Sequence, residues 1–387
     1  MRFSDFDIDN FLQNDWQQQP VFIPNPWDHW RNPLDANLLA GLACEDGVEA
    51  RLVSGNSDTK WKLEHGPFPE QRFASLGRKD WTLLVQAVDH YVPEVNALID
   101  SFRFIPDWRI DDVMVSYAAN GGGVGPHFDH YDVFLVQGAG QRRWSIGEVC
   151  DEKTALIPHD DLRLLADYQT VESWICNPGD ILYIPPGYAH EGIAIGDECM
   201  TYSIGCRAPS RSELIGYWVD DLLAELPEEE RFQDPRIRKQ HNPGEISALA
   251  IDQLHQMITE KLDDREAFAH WFGQYSSTPK YPDLDWSPDE QIDSAGLSDR
   301  LNSGGKLFRN PASRFSFIEK SQTQVQLFVD GKQFLCSENS AAFAKNLCHH
   351  RMQPIAMEWI HTQDAIQLAV RLFNQGSLDF LPEEESE

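Results

Sequence analysis

His127 and Asp129 stand one residue apart in the stretch GPHFDHYDVF, directly after the glycine run Gly121-Gly122-Gly123. In an extended chain, residues two apart point to the same side, so the imidazole and the carboxylate project together. Two ligands alone hold a metal weakly, and a third has to come from a different strand. His190, in PGDILYIPPGYAHEG, meets that need. The turn Pro178-Gly179-Asp180 starts a strand, Pro185-Pro186-Gly187 ends it, and the histidine follows that break. Two histidines and one carboxylate make the facial triad of non-haem Fe(II) oxygenases, which leaves the opposite face open for cosubstrate and dioxygen. A bare HxD is common by chance. HxD followed by a strand, Pro-Pro-Gly and a histidine is far more specific. The bland alternative makes His127 and His190 hydrogen-bonded polar residues of a barrel without metal.

An iron site of this type normally needs an electron-donating cosubstrate, usually 2-oxoglutarate. Its distal carboxylate requires a buried cation. Arg142 lies on the β-run that resumes after Gly138-Ala139-Gly140, and its guanidinium fork matches a carboxylate with two hydrogen bonds. The adjacent Arg143 faces the other way, so one of the two points inward. Ser116, on an earlier strand, offers a hydroxyl, or is simply a strand residue. The run GGGVG lacks the Lys-Ser/Thr of a phosphate loop and reads as a flexible entry to the metal strand. His349-His350 has no patterned carboxylate nearby, and adjacent side chains on a helix diverge.

The elements that position these residues are short strands. From about 108 to 207, β-rich runs alternate with Pro/Gly turns, which predicts a sandwich or barrel. Residues 1 to about 100 read as mixed and mostly helical, with apolar helical spacing over 81–88. From about 211 the pattern becomes helical. Leu214, Ile215, Trp218, Val219, Leu222, Leu223 and Leu226 fall on one stripe, and Ser212 is a candidate N-cap. A second helix is expected over 245–262 and a third around Phe268, Trp271 and Phe272. Such a helical block serves either a dimer interface or packing within the chain. The Ser/Pro/Asp-rich stretch 276–289 reads as a linker. Beyond it lie strands at 314–318 and 325–329, then the hairpin signal Asp330-Gly331 and a helix over 364–373. A winged-helix type of domain fits, with a frayed acidic tail at 382–387.

Composition narrows the function classes. A length of 387 residues allows two or three domains. No apolar run reaches about 18 residues, so no transmembrane helix is expected. The N-terminus MRFSDFDIDNFLQNDW is too acidic for a signal peptide. Seven cysteines without CxxC spacing read as reduced thiols in a cytoplasmic protein. A net charge of −30 argues against a grip on nucleic acid backbone. It suits a basic protein partner, or solubility alone.

The stretches RLVSG, DWRIDDVMVSY, GGGVGPHFDHYDVF, GQRRWSIGE and PGDILYIPPGYAHEG resemble the bacterial ribosomal oxygenases of the JmjC class. The resemblance is strongest over about 51–210. It implies a mainly β catalytic domain, a double-stranded β-helix or cupin-like jelly roll. A helical dimerisation region and a C-terminal α+β winged-helix-like domain would follow. The expected boundaries are 1–210, 211–276 and 277–387. By resemblance, His127, Asp129 and His190 are the iron ligands, and Arg142 and Ser116 contact 2-oxoglutarate. The patch 198–201 departs from the family pattern, and no role is carried over there. The expected activity is Fe(II)- and 2-oxoglutarate-dependent hydroxylation, with dioxygen, of an arginine β-carbon in ribosomal protein L-sixteen. The expected partners are that basic substrate and a second copy of the chain, with no DNA and no membrane. A guanidinium substrate calls for acidic or aromatic contacts, and Tyr131 and Asp132 are the candidates. The rival activities are a ribosomal histidine hydroxylase or a lysine demethylase on the same metal site. The rival from another class is a non-catalytic cupin-like binding module, which would tolerate loss of His127 or Arg142.

Overall fold

Short runs rich in β-branched and aromatic residues build one antiparallel sheet of nine strands. The structure is a computed structural model that describes residues 1–56, 60–235 and 237–380. The strands are β1 (Val21–Ile23), β2 (Ala50–Ser54), β3 (Lys62–His65), β4 (Trp81–Val85), β5 (Ile110–Ala118), β6 (Val133–Val149), β7 (Glu172–Cys176), β8 (Ile181–Ile184) and β9 (Tyr188–Cys206). Their order is β1-β8-β6-β9-β5-β4-β2-β3, with β7 also on β6. This is the expected double-stranded β-helix. β6 serves two neighbours on one side, pairing β8 through Val133–Val136 and β7 through Arg142–Ile146. β9 runs along its other side throughout.

That partner explains one correction. Gly138-Ala139-Gly140 is not a turn between two strands. It is an irregularity inside the single strand β6, where register shifts between Gln137 and Gln141. Gly140 takes φ +61° there, backbone to which a side chain would add strain. Because β9 keeps its hydrogen bonds on both sides of the shift, the chain bends and does not reverse.

The first hundred residues also differ from expectation. They supply β1 to β4, and 81–88 is the strand β4 followed by a short 3₁₀ turn, Val88–His90. A short apolar run cannot separate a buried strand from a helix by spacing alone. Here β4 sits between β2 and β5, so Thr82, Leu83, Leu84 and Val85 are all buried. The glycine run is packed, not flexible. A Cβ on Gly122 would collide with the Trp81 carbonyl, and one on Gly123 would meet the Gly192 carbonyl at 2.6 Å.

Asp132 is corrected here too. It is 0% exposed, and its carboxylate is engaged within the chain and not at the surface. Its carboxylate accepts hydrogen bonds from Tyr183 Oη at 2.6 Å, Gln17 Nε2 at 2.8 Å and Arg109 Nη2 at 3.0 Å. Those partners tie the N-terminal segment to β8 and to the start of β5. Asp132→Ala is expected to destabilise the chain by about 3 kcal/mol, because it strands the buried Tyr183 hydroxyl and the half-buried Arg109 guanidinium. Denaturant unfolding of the variant measures this.

The helix Arg211–Glu225 is capped by Ser210, not Ser212. Ser210 and Glu213 form a reciprocal capping box, which needs the acid three residues after the cap. The other helices are Ala248–Leu262 and Arg265–Ser277. A second hydrophobic core gathers Leu297, Leu327, Phe343 and Leu372. It lies under a three-stranded sheet of β11 (Phe315–Ser321), β12 (Gln324–Val329) and β13 (Lys332–Ser337), with β10 (Leu307–Arg309) outside it. β10 pairs instead with β14 (Leu378–Phe380). Asp330 and Gly331 take φ +51° and +77°, the two-residue hairpin that the sequence signals. The segment 276–289 is fastened down and is no free linker. Lys280 meets Asp111 at 2.6 Å, and Tyr281 Oη donates to Glu49 at 3.0 Å. His349 and His350 do not diverge: helix Glu338–His349 ends between them and their rings meet edge to face at 4.6 Å. The acidic tail 382–387 lies outside the described residues.

Candidate active site

His127 sits in an isolated antiparallel bridge, not in a continuous strand as expected. Its partner in that bridge is His190. The backbone N–H of each donates to the carbonyl of the other, at 3.0 and 2.8 Å. Two residues on, the Gly187 N–H donates to the Asp129 carbonyl at 2.7 Å. The break after β8 therefore brings the chain back beside the HxD segment. The ring centroids of His127 and His190 are 4.3 Å apart, and His190 Nε2 lies 3.7 Å from Asp129 Oδ2. One ligand atom from each of the three side chains fits within 4.8 Å of the others.

The imidazoles are prepared as ligands. Nδ1 of His127 faces the Gly125 carbonyl at 2.9 Å, and Nδ1 of His190 faces the Tyr188 carbonyl at 3.0 Å. A nitrogen facing a carbonyl oxygen carries the proton, so both Nε2 atoms present lone pairs. Burial, with His127 beside it, pushes His190 down to about 4, while Asp129 opposes the shift. His190 is therefore neutral near pH 7. Two imidazoles with one carboxylate are a donor set that fits a divalent iron.

Arg142 is 3% exposed, while Arg143 faces solvent. Strand parity puts Arg142, Trp144 and Ile146 on one face, and Ile146 stands opposite His190 on β9. Trp144 reaches the His190 ring at 6.1 Å and the Arg142 guanidinium at 5.5 Å. The Arg142 Nε donates to Cys199 Sγ at 3.4 Å. Its Nη2 is buried with no protein partner among the described residues, and so are Trp144 Nε1 and Thr82 Oγ1. Ser116 is 4% exposed and makes only a 3.5 Å contact with the Thr201 carbonyl. Thr201 Oγ1 in turn donates to Gln137 at 3.1 Å. Native proteins pair nearly all buried donors, so an orphan cationic donor marks the place of an acceptor. A carboxylate of 2-oxoglutarate fits that place.

The sequence reading missed Thr82, Gln137, Trp144, Cys199 and Thr201. Trp144 was legible from parity with Arg142. Thr82 was not, because the apolar spacing over 81–88 is helical. Tyr131 is 43% exposed, and its phenol lies beside the Asp129 carboxylate. Asp132 is not brought to the site.

Comparison with known proteins agrees with this architecture. The JmjC domain family matches residues 97–214, and the ROXA-like winged helix matches 260–379. The Escherichia coli ribosomal protein uL16 3-hydroxylase is 40% identical over 306 residues, covering 78% of this chain and 79% of that one. A probable ribosomal oxygenase of Haemophilus influenzae is 40% identical over 272 residues, covering 68% of this chain and 66% of its own. The crystal structure of E. coli YcfD superposes with a TM-score of 0.88 at 33% identity, over 98% of this chain and 100% of that one. YcfD solved with cobalt and 2-oxoglutarate superposes with a TM-score of 0.85 at 32% identity, over 98% and 99%. With its JmjC fold, its winged helix and this level of identity along most of its length, the chain belongs to the ribosomal oxygenases.

Proposed function

We propose that the chain is an Fe(II)- and 2-oxoglutarate-dependent dioxygenase that hydroxylates an arginine of ribosomal protein uL16, the L-sixteen protein, at its β-carbon. The observation that carries this reading is the His127, Asp129 and His190 cluster with a buried guanidinium, Arg142, whose Nη2 has no partner among the described residues. His127, Asp129 and His190 would hold the iron, and Arg142 and Ser116 the distal carboxylate of 2-oxoglutarate. When bound, iron, 2-oxoglutarate and dioxygen supply the oxidising chemistry, with succinate and carbon dioxide as co-products. The chain's own residues do the rest. The two backbone carbonyls at Gly125 and Tyr188 hold the imidazole protons away from the metal side. Arg142 fixes the cosubstrate's far end, and Trp144 walls the space between it and His190. Tyr131, exposed beside Asp129, is placed to meet the substrate arginine.

Mass measurement of a synthetic uL16 peptide tests the assignment. With Fe(II), 2-oxoglutarate and air, the peptide gains one oxygen on arginine, and Asp129→Ala abolishes the gain. An unmodified peptide alongside oxidised histidine in another ribosomal peptide would move the assignment to a histidine hydroxylase. Cosubstrate failing to bind at all would favour the binding-module reading.

The chain divides into 1–210, 211–276 and 277–387 in this reading, with one element shared between the last two. The helix Arg265–Ser277 packs on Trp218 through Phe268 and Trp271, and its Gly273 lies against Phe328 of β12. The chain works as a cytoplasmic homodimer. Among the described residues, no helix is long and apolar enough to cross a membrane. The acidic charge is unsuited to DNA, so the winged helix does not serve as a DNA reader. The helix Ala248–Leu262 buries none of its residues, and Ile251, Leu254, Ile258 and Leu262 are exposed along one side of it. A contiguous apolar face of this kind calls for a partner surface. Light scattering is expected to find a dimer, and the double variant Leu254→Glu, Ile258→Glu a monomer.

A further inference from the structure

A cavity of about 30 Å³ lies where the start of β5 meets β10, β11 and the end of helix Arg265–Ser277. By this measure one water takes roughly 10–15 Å³, so the space suits two waters or one small ion. Four arginines line it: Arg207, Arg309, Arg314 and Arg351. Asp89, Asp107 and Asp111 line it as well, so the arginines outnumber the carboxylates by one in a chain whose net charge is −30.

The nearby carboxylates are already committed. Asp107 accepts both Nε and Nη2 of Arg103 at 2.8 Å. Asp111 is shared at 2.6 Å by Lys280 and Arg314. Asp89 accepts the Val113 N–H and lies 3.9 Å from Arg351. Arg207 and Arg309 have no salt bridge among the described residues. Arg207 donates to the Ser276 carbonyl at 2.7 Å and lies against the Tyr275 ring. Arg309 is 8% exposed, donates through Nη1 to the Leu347 carbonyl at 2.9 Å, and covers the Phe315 ring at 4.1 Å. Its Nε is buried without a partner, as is the Ser316 hydroxyl on the same cavity wall. Burial and the nearby Arg351 push Arg309 down to about 10, which still leaves it charged near pH 7.

Buried cations without counter-charge are costly, and buried donors without acceptors add to that cost. We propose that this cavity binds one small inorganic anion, held by Arg309, Arg207 and the Ser316 hydroxyl, which fastens the winged helix to the oxygenase domain. Guanidinium donors suit halides and small oxyanions alike, and the cavity volume favours the smaller.

Thermal unfolding of the full chain tests this, with sodium bromide or sodium sulfate replacing sodium gluconate at constant ionic strength. Gluconate is too large for the cavity. A saturable rise in Tm is expected, of about 4 °C at a hundredfold excess over Kd, and it is lost in Arg309→Met. Arg207→Met, with its partners on the cavity's other wall, serves as a second variant if Arg309→Met does not fold. Saturation with bromide identifies a halide site, and saturation with sulfate alone an oxyanion site. A flat response to both salts, or a linear rise of equal slope in wild type and variants, overturns the proposal.

Discussion

In His190→Ala, hydroxylation of the uL16 peptide is expected to fall by more than about a hundredfold, with the fold intact. Losing only an outer partner of a metal ligand typically costs 10–100-fold in affinity or activity, so loss of a ligand exceeds that range. The ring is one of three donors, and the remaining His127 and Asp129 hold a divalent ion weakly. The backbone is a separate matter. The N–H and carbonyl of residue 190 still exchange hydrogen bonds with residue 127, so the bridge that closes the site survives the substitution. His190 is also uncharged in the apo protein, held near 4 by burial, so its removal strands no ion pair. Cobalt(II) titration by calorimetry, beside circular dichroism, separates the two effects. Normal metal affinity in the variant would remove His190 from the ligand set.

Arg142→Met is expected to act on the cosubstrate alone. The KM for 2-oxoglutarate should rise about 10–100-fold, matching the roughly 1.5–3 kcal/mol of hydrogen bonds to a charged group. Metal affinity should not change, because Arg142 lies four residues along β6 from Ile146, the residue opposite His190. Stability is expected to move the other way. In the apo protein the Arg142 Nη2 is buried without a partner among the described residues. An apolar side chain of similar length removes that cost, so apo Arg142→Met should unfold no earlier than wild type. The stabilisation that wild type gains from added 2-oxoglutarate should vanish. A variant that unfolds early, with an unchanged KM, would make Arg142 a structural residue only.

The cluster of His127, Asp129 and His190 was legible because its information is local. His127-Phe128-Asp129 places two ligands on one side of an extended chain. Pro185-Pro186-Gly187 announces a break before His190. Arg142 against Arg143 is decided by strand parity, which needs no partner strand to be known. The Asp330-Gly331 hairpin and the helices after residue 211 were legible for the same reason, since turn chemistry and helical spacing act over a few residues. Where the reading failed, the deciding partner was distant in sequence. Trp81–Val85 became a strand because β2 and β5 flank it. Gly138 to Gly140 stayed within one strand because β9 runs alongside. Asp132 turned inward because Gln17, Arg109 and Tyr183 converge on it from three other segments. The sequence by itself determined which side chains are chemically able to hold iron and a carboxylate. Only the tertiary structure decided which of them share one face of the sheet, because strand pairing between distant segments is settled by burial that no local pattern records.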